Sequence, residues 1–215
     1  MQDKNETNKL KIRSLGVIDY AEALALQKQL VEKRIAGSGP NTILILEHPA
    51  VITLGARKSE NKLLAGVDEL KNRQIEVVQI RRGGGSTAHN RGQIVIYPII
   101  ALKSIGLGVN EFVRTLEAIG IDLLASFGIQ ADRRKGYPGL WTAGRKIGSI
   151  GVKIQKGVSF HGMAINICND LGIFDNIVPC GIDDVEMTNA SKEAGKKIPM
   201  ALVREKLEQL CVERF

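Results

Sequence analysis

Two positions stand out for the chemistry their side chains can do. Cys180 lies between a proline and a glycine in Val178-Pro-Cys-Gly181, and Lys146 opens the glycine-spaced stretch Lys146-Ile-Gly-Ser-Ile-Gly-Val-Lys-Ile154. The thiolate, not the thiol, is the nucleophile, and a nearby cation favours the charged sulfur. A cysteine served by a lysine is therefore one arrangement for acyl transfer. Each residue also has a plainer reading: a lone lysine at a strand end commonly snorkels to water, and buried cysteines are usually inert packing. Packing is the expectation for Cys168, at the end of an apolar strand, and for Cys211, on an apolar helix face. Cys180 differs, because Pro179 and Gly181 place it in a turn, where Gly181 leaves space for a substrate carbonyl. His89 or His161 can supply a Cys–His pair in place of the lysine, and either can equally be a satisfied structural group.

A third feature is the stretch Arg81-Arg-Gly-Gly-Gly-Ser-Thr-Ala-His-Asn-Arg-Gly-Gln93. It lacks the GxxxxGK pattern of a P-loop, and no GxGxxG opens a helix here. Consecutive glycines let a backbone approach a ligand closely and point several N–H groups into one concavity. A flexible connection between strands is the alternative. The concentration of Arg82, Thr87, His89 and Gln93 favours a binding loop.

The elements that must hold these residues follow from periodicity and punctuation. Leu10 to Ile18 is predicted as a strand. Asp19 caps a helix to about Ala36, with Ala23, Leu24, Leu30, Val31 and Ile35 near helical spacing and Gly37 as its stop. Thr42 to Glu47 is a nearly continuous apolar run, as expected of a buried strand, and Ala50 to Leu54 resumes extended structure. Gly55 to Asn61 is a basic loop carrying Arg57 and Lys58. A short helix near Asp68 to Arg73 leads to a strand over Ile75 to Ile80. Arg81 to Gln93 is read as loop throughout, followed by the strand Ile94 to Tyr97. Asn110 caps a helix to about Phe127. Leu140 to Thr142, Lys146 to Ile154 and Val158 to Ile167 are strands, the last two joined at Gln155-Lys-Gly157. A final helix from near Pro199 buries Leu202, Val203, Leu207, Leu210 and Cys211.

Strict alternation puts Lys146, Gly148, Ile150, Val152 and Ile154 on one face, with Ile147, Ser149, Gly151 and Lys153 on the other. If the first face is inward, Lys146 is partly desolvated and suited to accept a proton. Glycines 148, 151 and 162 weaken a strand, and room for a ligand against bare backbone is one reason to keep them.

Strands and helices mix without regular βαβ alternation, which predicts one α+β domain over residues 10–215 behind a flexible polar segment, 1–9. With 44% hydrophobic and 25% charged residues, the composition is that of a soluble globular chain with a core to bury. The formal charge of +7 suggests an acidic partner. Scattered basic residues and 4% aromatics argue against nucleic acid. No apolar run approaches membrane-spanning length. Three cysteines without CxxC or metal-ligand spacing argue for a reducing, cytoplasmic setting and against a disulfide framework, and no metal is expected.

Taken in order, many short stretches resemble the lipoyl(octanoyl) transferase family. They are Leu46-Glu-His-Pro49, Thr53-Leu-Gly55, Arg82-Gly-Gly84 with Thr87 and His89, Gly92-Gln93 and Tyr97-Pro98. They continue through Gly139-Leu-Trp141, Lys146-Ile-Gly-Ser-Ile-Gly151, His161-Gly162, Asn166 and Pro179-Cys-Gly181. The resemblance implies a mixed, mainly antiparallel sheet flanked by helices, as in the biotin/lipoate protein ligases. It implies that an octanoyl or lipoyl group moves from acyl carrier protein to a lipoyl-domain lysine, in 2-oxoacid dehydrogenase complexes or the glycine cleavage H protein, without a cofactor. By position it makes Cys180 the nucleophile and Lys146 the residue that favours its thiolate. Arg82, Gly83, Gly84, Gly85, Ser86, Thr87, Ala88 and His89 become substrate-binding, as do Ser149, Ile150 and Gly151, and Gly162, Met163 and Ala164. Arg57, Arg82 and Arg91 are expected to contact protein partners, and the protein to act as a monomer. Where the family usually has Gly-Pro after His89, this chain has Asn90-Arg91. The rival readings are an ATP-dependent lipoate ligase of the same fold, which needs no cysteine, and a catalytically silent carrier-protein binder.

Overall fold

The computed structural model describes residues 10–182 and 184–215, without the side chain of Cys180, so the expectations for residues 1–9 and for that thiol lie outside the described residues. Among the described residues ten strands form two sheets. They are β1 (Lys11–Val17), β2 (Thr42–Glu47), β3 (Val51–Leu54), β4 (Glu76–Gln79), β5 (Thr87–His89), β6 (Gln93–Ile99), β7 (Asp132–Arg134), β8 (Tyr137–Thr142), β9 (Arg145–Gln155) and β10 (Val158–Asn166). The helices are α1 (Tyr20–Ile35), α2 (Val67–Asn72), α3 (Val109–Ala125), α4 (Ala190–Glu193) and α5 (Met200–Arg214).

The larger sheet runs β1-β2-β6-β10-β9-β8-β7, and the smaller β4-β3-β5. Only β1 with β2 and β3 with β4 pair in parallel; the other ladders are antiparallel. The arrangement is α+β, a mixed and mainly antiparallel sheet flanked by helices. The continuous apolar run of β2 has its reason in this layering. Ile43 and Ile45 face α3 and α5, with Phe112, Leu116, Val203 and Leu207, while Leu44 and Leu46 face Ala23 and Val31 of α1. A strand covered on both faces loses its alternation. A separate core under the small sheet joins Ile52 and Ala88 to Leu70, Phe174 and Ile177. No helix of the described residues is long and apolar enough to cross a membrane.

Several local expectations are corrected. Residues 87–89 of the supposed loop form β5, pairing with β3. The N-cap of α3 is Gly108 rather than Asn110, with Glu111 reaching back to the Gly108 N–H at 2.6 Å. Leu202 is 39% exposed, and Cys168 is exposed just past the end of β10 rather than packed inside. The Asn90-Arg91 turn is tied down by polar contacts, with Asn90 donating to the Asp170 carbonyl and accepting from Asn169.

Candidate active site

The strict alternation expected of β9 fails at its start. Across the β8–β9 ladder Leu140 pairs with Gly148 but Trp141 pairs with Lys146, so β9 carries one extra residue. A bulge of this kind re-aims a side chain. Ile147 joins the core with Leu140, Met163 and Ile165, and Lys146 takes the face of Trp141, opposite to that of Gly148 and Ile150. Lys146 is nonetheless only 1% exposed. Its Nζ lies 5.1 Å from the Trp141 ring centroid and donates to the Pro138 carbonyl at 3.5 Å. Its backbone is held by the segment that follows the cysteine turn: Lys146 N–H donates to Glu186 O at 2.8 Å, and Thr188 N–H to Lys146 O at 2.9 Å.

The cysteine turn is a short 3-10 helix, Pro179–Gly181, closed by the Gly181 and Ile182 N–H groups on Val178 O and Pro179 O. Gly181 does not hold open a space. Its φ is +67°, and a Cβ there would lie 2.8 Å from Glu60 Cβ, so the position needs glycine for its backbone and for the side chain already filling it. Glu60 also fills the bare side of Gly85. One acidic residue thus spaces the glycine loop from the cysteine turn. Ser86 completes the junction, donating to Val178 O at 2.8 Å.

Lys146 and Gly181 line the same cleft of about 940 Å³, together with Gly83, Gly84, Ile150 and Gly151. Its rim carries Arg57, Arg114 and Arg134. Behind it lies a narrow inner slot that shares Gly83, Gly84, Ile150 and Gly151 with the cleft. Arg82, Thr87 and His89 line the slot from the glycine loop, Ser149 from β9, and Gly162, Met163 and Ala164 from β10. Sequence reasoning missed Tyr20, Val95 and Tyr97, which with His161 complete the lining. Tyr97 stood in a recognised motif, but Tyr20, at the first position of α1, carried no signal. Gly85, Ser86 and Ala88 do not line the slot. Gly85 O accepts from Arg82, Ser86 anchors the turn, and Ala88 is core.

The slot offers about 30 Å³, room for a water and far short of an eight-carbon chain. The strand glycines do not leave bare floor either. Leu140 fills the side of Gly148, Arg82 that of Gly151, and Ile96 O that of Gly162. Arg82 is 7% exposed and bonds Thr53 O, Thr53 Oγ1, Gly83 O and Gly85 O at 2.7–3.0 Å. It organises the loop. Arg57 does line the cleft; Arg91 is exposed and lines neither the cleft nor the slot.

All three histidines of the chain gather around the slot. His48 Nδ1 meets a carbonyl, Ile18 O, at 2.8 Å and must donate, so Nε2 accepts from the Tyr97 hydroxyl at 2.9 Å. Gln93 Nε2 donates to Ala88 O and Asn166 Oδ1, which leaves its Oε1 to accept from His89 Nδ1 at 2.7 Å. Asn166 Nδ2 donates on to Thr188 O. A buried hydrogen-bond chain therefore runs from the glycine loop to the residue bonded to Lys146. Burial is the main cause that pushes His48 down to about 4 and His89 and His161 down to about 3, with neighbouring positive charge adding to the last two. Burial also pushes Tyr20 up to about 12 and holds Tyr97 well above the ordinary tyrosine value. Neither His89 nor His161 lines the cleft that Gly181 lines. Among the described residues no group of three or more His, Cys, Asp or Glu is placed to hold a metal ion.

Residues 19–211 match the family described as the lipoyl protein ligase A/B catalytic domain. The chain belongs to that family. It is 39% identical over 208 residues to the mitochondrial octanoyltransferase of Arabidopsis thaliana, covering 96% of this chain and 88% of that one. It is 43% identical over 192 residues to the octanoyltransferase of Geobacter sulfurreducens, covering 89% and 79%. A lipoate-protein ligase A solved with ATP superposes with a TM-score of 0.73 over 96% of this chain and 85% of its own, at 14% identity, which speaks for the fold alone.

Proposed function

We propose that the protein transfers an octanoyl group to lipoyl-domain lysines in protein lipoylation, through a thioester on Cys180. Relatives about 40% identical over most of the chain support octanoyl transfer. The observation that carries the site reading is that Lys146, only 1% exposed, lines one cleft with Gly181, the neighbour of Cys180. A cation at that place favours the thiolate.

In the first step the Cys180 thiolate attacks the carbonyl of the carrier-bound thioester. A new C–S bond forms, the old one breaks, and the carrier thiolate leaves and takes its proton from the Lys146 ammonium, which is left as a neutral amine for the second step. One thioester replaces another, so the exchange is nearly isoenergetic. In the second step the neutral amine of the acceptor lysine attacks; the amide forms, the Cys180 thiolate is released, and the amine proton passes to a base, for which Lys146 is placed. The arginine rim of the cleft suits acidic protein partners. The acyl chain enters the inner slot by displacing lining side chains, since the slot as it stands is too small.

The test is intact-mass measurement after incubation with octanoyl-carrier thioester and no ATP. A gain of one octanoyl group in the parent protein, absent in Cys180→Ala, supports the reading. Strict dependence on ATP would instead favour the ligase chemistry of the fold neighbour.

A further inference from the structure

We infer that Trp141 and Glu117 are positioning residues for Lys146, a step that rests on the site reading above. Trp141, the one tryptophan of the chain, is 4% exposed and pairs directly with Lys146 across the β8–β9 bulge. Cross-strand partners share a face, so the bulge that takes Lys146 off the Ile150 face also delivers it to the indole. The ammonium lies 5.1 Å from the ring centroid, within cation–π range. The indole is fixed in turn, its Nε1–H donating to Tyr137 O at 3.2 Å.

The second contact of the ammonium leads to Glu117. Lys146 Nζ donates to Pro138 O, and the other end of the same peptide, Gly139 N–H, donates to Glu117 Oε1 at 3.5 Å. Glu117 is 3% exposed and is held by Arg114 Nη1 at 2.9 Å and Arg133 Nε at 3.0 Å. A carboxylate so buried and doubly paired does not swing freely. The peptide between it and the lysine has little freedom either. Gly139 has φ +136°, and a Cβ there would lie 2.5 Å from Gly148 O and 3.3 Å from Lys146 Cε. The lysine is thus set by a ring on one side and, on the other, by a peptide whose far end is fixed to a carboxylate on α3.

The test compares full-length Trp141→Phe, Trp141→Leu and Glu117→Gln in octanoyl-thioester formation, with melting temperatures recorded alongside. Trp141→Leu is expected to lower the limiting rate about tenfold with donor KM within twofold, and Trp141→Phe, which keeps a ring face, to recover most of it. Glu117→Gln is expected to lower the rate with KM likewise unchanged. Equal losses in Phe and Leu, or a change confined to KM, would overturn the inference. A second measurement needs no turnover: Lys146→Met and Glu117→Gln should both change the emission of the single tryptophan. Unchanged emission in Lys146→Met means the ammonium is not at the ring, and overturns the placement even if the Leu variant does not fold. If the parent protein forms no octanoyl adduct, the transfer reading fails while the fluorescence comparison still decides the placement.

Discussion

Ser86 Oγ donates to the carbonyl of Val178 at 2.8 Å, joining the glycine loop to the first residue of Val178-Pro-Cys-Gly181. Ser86 is fully buried, so Ser86→Ala leaves a buried acceptor without this donor. The expected cost is about 1–3 kcal/mol of stability. Thioester formation should slow by more than the loss of folded protein explains, because the turn loses its anchor. Urea unfolding and single-turnover mass measurement on the same sample check this. Parent-like rates at reduced stability would make Ser86 purely structural.

Among the described residues the buried Arg82 guanidinium donates two hydrogen bonds to Thr53 on β3 and two within its own loop. A lysine ammonium cannot reproduce that planar fork. Arg82→Lys is expected to lose about 2–4 kcal/mol, since several charge-assisted bonds go at once. It should lower octanoyl transfer as Gly83 and Gly84 lose their register at the cleft. Chemical denaturation separates this outcome from a partner-contact role, in which stability would stay unchanged.

The histidine cluster gives stability a pH dependence of known sign. Folded values of about 4 for His48 and about 3 for His89 and His161 lie below the ordinary 6.5. Between those limits the unfolded chain binds more protons than the folded one, so stability rises with pH. The contribution is whole above pH 6.5 and is lost as pH falls toward 4 and then 3, at about 1.4 kcal/mol per unit for each histidine. Urea midpoints should therefore drop steeply between pH 6 and 4. In His89→Gln the slope over that interval should be shallower by about one histidine's share; an unaltered slope would mean His89 titrates alike in both states.

Much of the fold could be read from pattern, because β2, β6 and β10 are covered on both faces and their apolar runs say so. The loop and the β9–β10 glycines likewise pointed to segments that line the slot. What pattern could not give was the bulge before Gly148, since period-two counting assumes an unbroken ladder. Nor could it show that Leu140, Arg82 and Ile96 fill the glycine sides, because those neighbours come from distant segments. Glu117 stayed hidden for the same reason. On α3 it looks like any helical glutamate, and only the β7–β8 hairpin, brought over it by the sheet, gives it Arg133 and Gly139 as partners.

Gly151 and Gly162 pair across β9 and β10, yet their alanine variants should behave differently. At Gly162 a Cβ would overlap Ile96 O, a backbone atom of the central strand β6 that has no room to retreat. Gly162→Ala should cost roughly 2–3 kcal/mol, the upper range for overpacking a core. At Gly151 the first atom met is Arg82 Cδ at 2.8 Å, part of a flexible side chain, with Gly83 O next at 2.9 Å. Gly151→Ala can be relieved by shifting Arg82 and the loop outward, so the stability loss should be smaller and the damage should fall on transfer. Thermal unfolding with octanoyl-thioester formation, measured on both variants, distinguishes them. A Gly151→Ala enzyme with parent-like transfer would show that the position of the Arg82 loop does not govern the site.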